Sequence, residues 1–150
     1  MNKEIVERPD SQLGFLLTQV SFLKQRIIHT ALKELDITYI QFIILAGTLE
    51  LSEGGKIATQ QDLSRERRLD KAMVSNVVKT LIKKGMMVRN IHPVDKRAYT
   101  LLLTGTGKEA AVKGKKIALE VDQRFFANIN QEELFKTLVI LLQNEGGNDE

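Results

Sequence analysis

The sequence predicts a mainly α-helical fold with a small β component (α+β), about six helices and one β-hairpin in a single unit of 150 residues. Three observations predict it. Apolar residues recur at three- and four-residue steps along most of the chain, the pattern of helices that each bury one face. Two extended runs, Met87 to His92 and Ala98 to Leu103, flank the turn-forming stretch Pro93-Val94-Asp95-Lys96-Arg97. Two helix candidates, Gln60 to Arg67 and Asp70 to Lys84, lie just before that hairpin, and Gly85 stops the second. Helix, turn, helix and basic hairpin, in that order, make a winged helix-turn-helix, whose second helix lies in a DNA major groove while the hairpin reaches a neighbouring groove.

Taken in order, Met1 to Pro9 has no period and reads as an arm. From Gln12 to Leu35 the residues Leu13, Leu16, Leu17, Val20, Leu23, Ile27, Ile28, Ala31 and Leu35 mark a helix, with Asp10 or Ser11 as N-cap. About 24 residues give roughly 36 Å of helix. Phe15, Phe22 and Leu32 widen its apolar stripe beyond what one neighbour covers, which favours burial by a second copy of the chain. Thr38 with Gln41 forms a capping box for a helix from Tyr39 to about Leu51. Lys56-Ile57-Ala58 is a short strand that pairs with the later hairpin, and Thr59 caps the helix that follows.

The segment from Asp70 to Lys84 has the clearest period. Val74, Val77, Val78, Leu81 and Ile82 align on one buried stripe, so Lys71, Ala72, Ser75, Asn76, Lys79 and Lys83 occupy the other face. Those types suit a groove: small residues allow close approach, Asn pairs bidentately with adenine, and Lys meets phosphate or guanine. Lys83 and Lys84 equally suit the negative end of their own helix. After the hairpin, Thr104 caps a long helix to about Ala127, with Ala110, Ala111, Ile117, Val121, Phe125 and Phe126 facing inward, and Asn130 with Glu133 opens a last helix ending near Gln143.

Charge is distributed unevenly. Residues 1–55 carry five Lys/Arg against seven Asp/Glu, residues 98–150 six against eight, and residues 56–97 eleven against four, or −2, −2 and +7. The whole positive excess sits on the piece that patterns as helix-turn-helix and hairpin, as a phosphate-facing surface requires. Double-stranded DNA is therefore the expected partner.

Composition excludes several alternatives. The chain has no cysteine, which removes thiol catalysis, peroxide sensing and a disulfide scaffold and makes the cytoplasm the expected compartment. Apolar runs such as Leu138 to Leu142 are too short to span a membrane. The two histidines, His29 and His92, lie far apart, and no spacing suggests a metal site, a cofactor or a nucleophile elbow. Gly105-Thr106-Gly107-Lys108 lacks the spacing of a phosphate loop, and Glu109 stands where Ser or Thr is needed, so no enzyme is expected.

The run Asp95-Lys96-Arg97-Ala98-Tyr99-Thr100-Leu101-Leu102-Leu103-Thr104-Gly105-Thr106-Gly107 resembles the wing of the multiple-antibiotic-resistance regulator (MarR) family: Asp, Arg two on, a small residue, alternating aliphatics, then Thr and Gly. Leu69-Asp70-Lys71-Ala72-Met73-Val74-Ser75 and the stretch from Leu81 through Gly85 to Arg89 are similar to that family's recognition helix and exit strand. The resemblance implies a homodimeric transcriptional regulator, usually a repressor, acting on a pseudo-palindromic operator and modulated by a small ligand. On that reading residues 36–104 form the DNA-binding part, and residues 11–35 and 105–144 the dimerisation helices. Lys71, Ala72, Ser75, Asn76 and Lys79 face the major groove; Asp95, Lys96 and Arg97 form the wing tip, with Asp95 orienting the Arg97 guanidinium in a narrow minor groove. A protein-interaction adaptor with no operator is the alternative.

Two departures from the family pattern matter. Asn76 stands where Arg is common, and Lys79-Thr80 replaces a frequent Asp-Arg pair, so the operator is this chain's own. Arg67 and Arg68 occupy a turn that usually holds an apolar residue and Gly, which leaves either a rebuilt turn or Arg68 in a conformation Gly takes freely. For an effector, a pocket between the first helix, the second and the long helix after the wing would be lined by Phe22, Arg26, His29 and Phe42, with Arg26 suited to an anionic aromatic compound.

Overall fold

The structure, a computed structural model, describes residues 12–144. Helix α1 (Leu13–Leu32) runs into a 3-10 turn (Lys33–Leu35) and then α2 (Tyr39–Glu53). A short strand β1 (Ala58–Thr59) leads into α3 (Gln60–Arg67) and α4 (Lys71–Lys83). Strands β2 (Met87–Ile91) and β3 (Tyr99–Leu103) form the hairpin, followed by α5 (Gly105–Phe125) and α6 (Gln131–Gln143). The expected order of elements is present, and α1 stops being α-helical three residues early because Leu35 closes a tighter turn before Asp36 turns left-handed (φ 52°).

Local chemistry explains most boundaries. At α2 the Gln41 N–H donates to Thr38 Oγ1 (3.2 Å) and the Thr38 N–H to Gln41 Oε1 (3.1 Å), a reciprocal box. Thr59 and Asp62 repeat the arrangement at α3, while Asp70, Thr104 and Asn130 each accept a backbone N–H at the start of α4, α5 and α6. Helix α1 starts at Gln12 with no side-chain cap, and the expected caps Asp10 and Ser11 lie outside the described residues. Gly85 takes a φ of 72° after α4, where a Cβ would be strained.

Helix α2 is the hub. It is apolar on nearly all sides, with Phe42, Ile44, Leu45, Ala46 and Leu49 buried, and a helix with that composition is a core helix. Around it close Ile28 and Leu32 of α1, Leu63 of α3, Val74, Val78 and Leu81 of α4, Met87 and Leu101 of the sheet, and Ala110 and Ala111 of α5. The antiparallel sheet has the order β1-β3-β2, with Ala58 opposite Leu101 and Met87 opposite Leu103. Thr59 therefore pairs with β3 and caps α3 at once. Helix α5 is seated on the end of the hairpin: the Thr104 N–H donates to the Met86 carbonyl (3.1 Å), and a Cβ on Gly107 would lie 1.8 Å from that same oxygen.

The outer helices differ. Of the stripe on α1 only Ile28 and Leu32 are buried; Leu13, Phe15, Leu17, Val20 and Phe22 are exposed. No residue of α6 is buried, and Phe135, Ile140, Leu141 and Leu142 stand in the open. Among the described residues no single helix is long and apolar enough to cross a membrane.

Candidate nucleic-acid interface

Helix α4 owes its orientation to its stripe. Burial of Val74, Val78 and Leu81, each worth roughly 1.5–3 kcal/mol, rolls the opposite face outward. Lys71, Ala72, Asn76 and Lys79 are exposed on it and Ser75 is half-buried. Asp70 locks the first turn by accepting the Met73 N–H (3.1 Å), which fixes where Lys71 leaves the helix. The turn before it is tied by the Ser64 hydroxyl donating to the Leu69 carbonyl (2.6 Å) and the Leu69 N–H donating to the Ser64 carbonyl (2.9 Å). Arg68, with φ 51°, is the residue that turns left-handed there, so the turn is kept and Arg carries the strain.

The hairpin tip brings Asp95, Lys96 and Arg97 to the surface beside α4. Lys71, Asp95 and Arg97 line one cleft of about 600 Å³ together with Thr59, Gln60, Gln61, Ala98 and Tyr99. Ala72, Ser75, Asn76, Lys79 and Lys96 lie outside that cleft, further along α4 or over the tip. Asp95 has two roles: its Oδ1 accepts the Arg97 backbone N–H at 3.1 Å and stands 3.6 Å from the Arg97 Nε, an ion pair made at the surface with the Arg97 side chain 95% exposed. Asp95 shapes the turn and leaves the rest of the guanidinium open to solvent.

Several neighbours of the cleft escaped sequence reasoning. The first turn of α3 supplies Thr59, Gln60 and Gln61, and Gln60 Oε1 accepts from Arg89 Nη1 (3.3 Å). The Arg89 guanidinium also sits 4.4 Å from the centre of the Tyr99 ring, a cation–π contact that braces the two strands. Their spacing to α4 arises from sheet pairing, and the one available signal was the capping box at Thr59.

Not all of the positive excess is without a partner. Arg65 is paired with Asp62 (2.9 Å), Arg67 with Glu50, and Lys84 donates to the Asp36 carbonyl and to Gln41 Oε1. Lys84 thus ties the end of α4 to the α1–α2 connection and is a structural residue. Lys56, Arg68, Lys71, Lys79, Lys83, Lys96 and Arg97 are exposed, as is the paired Arg65.

A second concavity, about 1080 Å³, lies between α1 and α2 and reaches Leu69 in the turn before α4. Phe22, Arg26 and His29 line it with Gln19, Leu23, Gln25, Thr38, Tyr39, Ile40 and Ile43. Phe42 is not among them, and α5 contributes nothing. The Phe42 ring points to the other side of α2, against Gly114, where a Cβ would come within 2.6 Å of it. It lines instead a smaller cleft of about 320 Å³ between α2 and α5.

Comparison with known proteins agrees with this fold. The family model described as MarR family matches residues 48–99, which span β1, α3, α4 and β2. An uncharacterized HTH-type transcriptional regulator of Bacillus subtilis, YdcH, is 38% identical over 138 residues, covering 91% of this chain and 94% of that protein. A mutant of Escherichia coli MarR complexed with operator DNA is 26% identical, with a TM-score of 0.73 over 88% of this chain and 91% of that one. Bordetella bronchiseptica BpsR, studied for regulation of its DNA binding by 6-hydroxynicotinic acid, has a TM-score of 0.79 at 21% identity over 95% of this chain and 98% of that one, a likeness of fold.

Proposed function

The chain belongs to the MarR family of transcriptional regulators, and on that premise we propose that it acts in the cytoplasm as a homodimeric repressor on a pseudo-palindromic operator, with occupancy set by a small ligand. Residues 36–104 read DNA and residues 11–35 and 105–144 pair the two copies. The observation that carries the reading is the meeting of Lys71 at the start of α4 with Arg97 of the hairpin tip in one open cleft. Two cations on two elements can grip successive phosphates and hold Ser75, Asn76 and Lys79 against base edges. The apolar faces of α1 and α6 supply what a second copy would cover, and a two-fold pair that reads two half-sites would have to hold its two α4 helices about one DNA turn apart.

The cavity between α1 and α2 suits the ligand. Arg26 offers a charged fork for a carboxylate, Phe22 and Tyr39 offer ring faces, and the site touches Leu69 at the entry to α4. A small anionic aromatic compound bound there would bias the angle of the reading helix.

Gel-shift titration on random duplex DNA over a salt series, followed by binding-site selection, tests the proposal. Affinity should fall steeply with salt, and selection should return a site with two related halves. Retention that ignores salt, with no enriched sequence, would replace the regulator by an adaptor that binds protein.

A further inference from the structure

We infer that His92 is a positioning residue that pre-shapes the wing tip for DNA, an inference that rests on the DNA-binding reading above. Side-chain packing does little for the tip: Val94 is 86% exposed and the Arg97 side chain 95%. An exposed five-residue connection loses conformational freedom when it docks, and that loss lowers affinity.

His92 removes much of this freedom beforehand. Its Nδ1 accepts the Val94 N–H at 3.1 Å and the Asp95 N–H at 3.0 Å. Pro93 between them has a fixed φ and no N–H, so the first two donors after the proline converge on one ring nitrogen. An imidazole that accepts at Nδ1 carries its proton on Nε2. Asp95 completes the other half: its Oδ1 accepts the Arg97 N–H (3.1 Å) and its carbonyl the Ala98 N–H (3.0 Å). The His92 N–H then closes the loop on the Ala98 carbonyl at 3.0 Å. His92 does not line the cleft shared by Lys71 and Arg97, so it works through the backbone that carries Arg97.

Three variants of the full chain test this. His92→Ala and His92→Phe both remove the acceptor, and the second keeps the ring; His92→Asn keeps an acceptor oxygen the same number of bonds from the backbone. Ala and Phe should each weaken binding to a fixed duplex by about three- to tenfold, the worth of one hydrogen bond, while Asn stays within about twofold of the parent. In the DNA-free protein the ring nitrogen shifts should report the Nε2–H tautomer, and the Val94 and Asp95 amides should exchange faster in His92→Phe. A Phe variant that binds like the parent, an Asn variant as weak as Ala, or a ring protonated on Nδ1 would overturn the inference. A parent protein that binds no duplex at all would overturn the functional reading instead, and the ring shifts and amide exchange would then judge the hold on the tip by themselves.

Discussion

The basic middle of the chain and its two helical ends are built to opposite rules. In the middle, the apolar stripes of α2 and α4 are covered by their own chain. At the ends, α1 buries only Ile28 and Leu32 and no residue of α6 is buried, yet both carry rows of large apolar residues. On the proposed function, the shape of the reading surface is therefore decided within one chain, while the distance between two such surfaces would be decided by what covers the ends. That division predicts which substitutions disturb assembly, which disturb folding and which disturb only DNA recognition.

The largest effect should come from the ends. Phe135→Glu combined with Ile140→Glu places two charges on exposed apolar positions of α6, and light scattering should show monomers. Affinity for the full operator should drop roughly 100-fold, since a lone chain loses the second half-site. The middle should still unfold cooperatively in that variant; a dimer that persists with undiminished affinity would show that α6 is not a pairing surface.

Next comes Gly107→Ala. The added methyl meets the Met86 carbonyl that also accepts from Thr104, and backbone on both sides leaves it nowhere to go. Denaturant unfolding should report a loss of about 1–3 kcal/mol. An unchanged midpoint would mean that α5 is not seated on the hairpin.

Within the reading surface, Asn76→Ala should cost roughly 1–3 kcal/mol on the selected operator and relax one base position, with random duplex little affected. Arg97→Ala should weaken all duplexes alike and lower the salt slope by about one. Equal behaviour of the two variants would erase the distinction between a specifying helix and an anchoring tip.

The smallest effect is a gain. Arg68 holds a left-handed conformation, so Arg68→Gly should stabilise the fold by about 1 kcal/mol in thermal unfolding. Arg68 Nη2 also donates to the Leu142 carbonyl at the end of α6 (3.4 Å). A loss of stability instead would show that this link between the turn and the last helix outweighs the strain.

What was legible in the sequence follows the range of the interactions. Thr38 with Gln41 and Thr59 with Asp62 act within one turn, so their spacing alone marked α2 and α3. The stripe of Val74, Val78 and Leu81 marked the face of α4 in the same way, and the left-handed Arg68 was foreshadowed by Arg standing where Gly is usual. Phe42 lines a different cleft from Phe22, Arg26 and His29, because periodicity says that a residue is buried and not against which partner, and α2 is buried nearly all round. Lys84 reaching back to Asp36, and Gln60 entering the cleft beside Lys71, depend on helices far apart in the chain. Gly107, the last position of the wing run, had a pattern before it had a cause; the Met86 carbonyl supplies it.

The most direct test is the mass of the complex formed by the full chain with its selected operator, measured by native mass spectrometry beside a duplex carrying one half-site. Two chains on the full site, with no stable complex on the half-site, is the expected result. One chain bound equally well to both duplexes would contradict the paired reading surface.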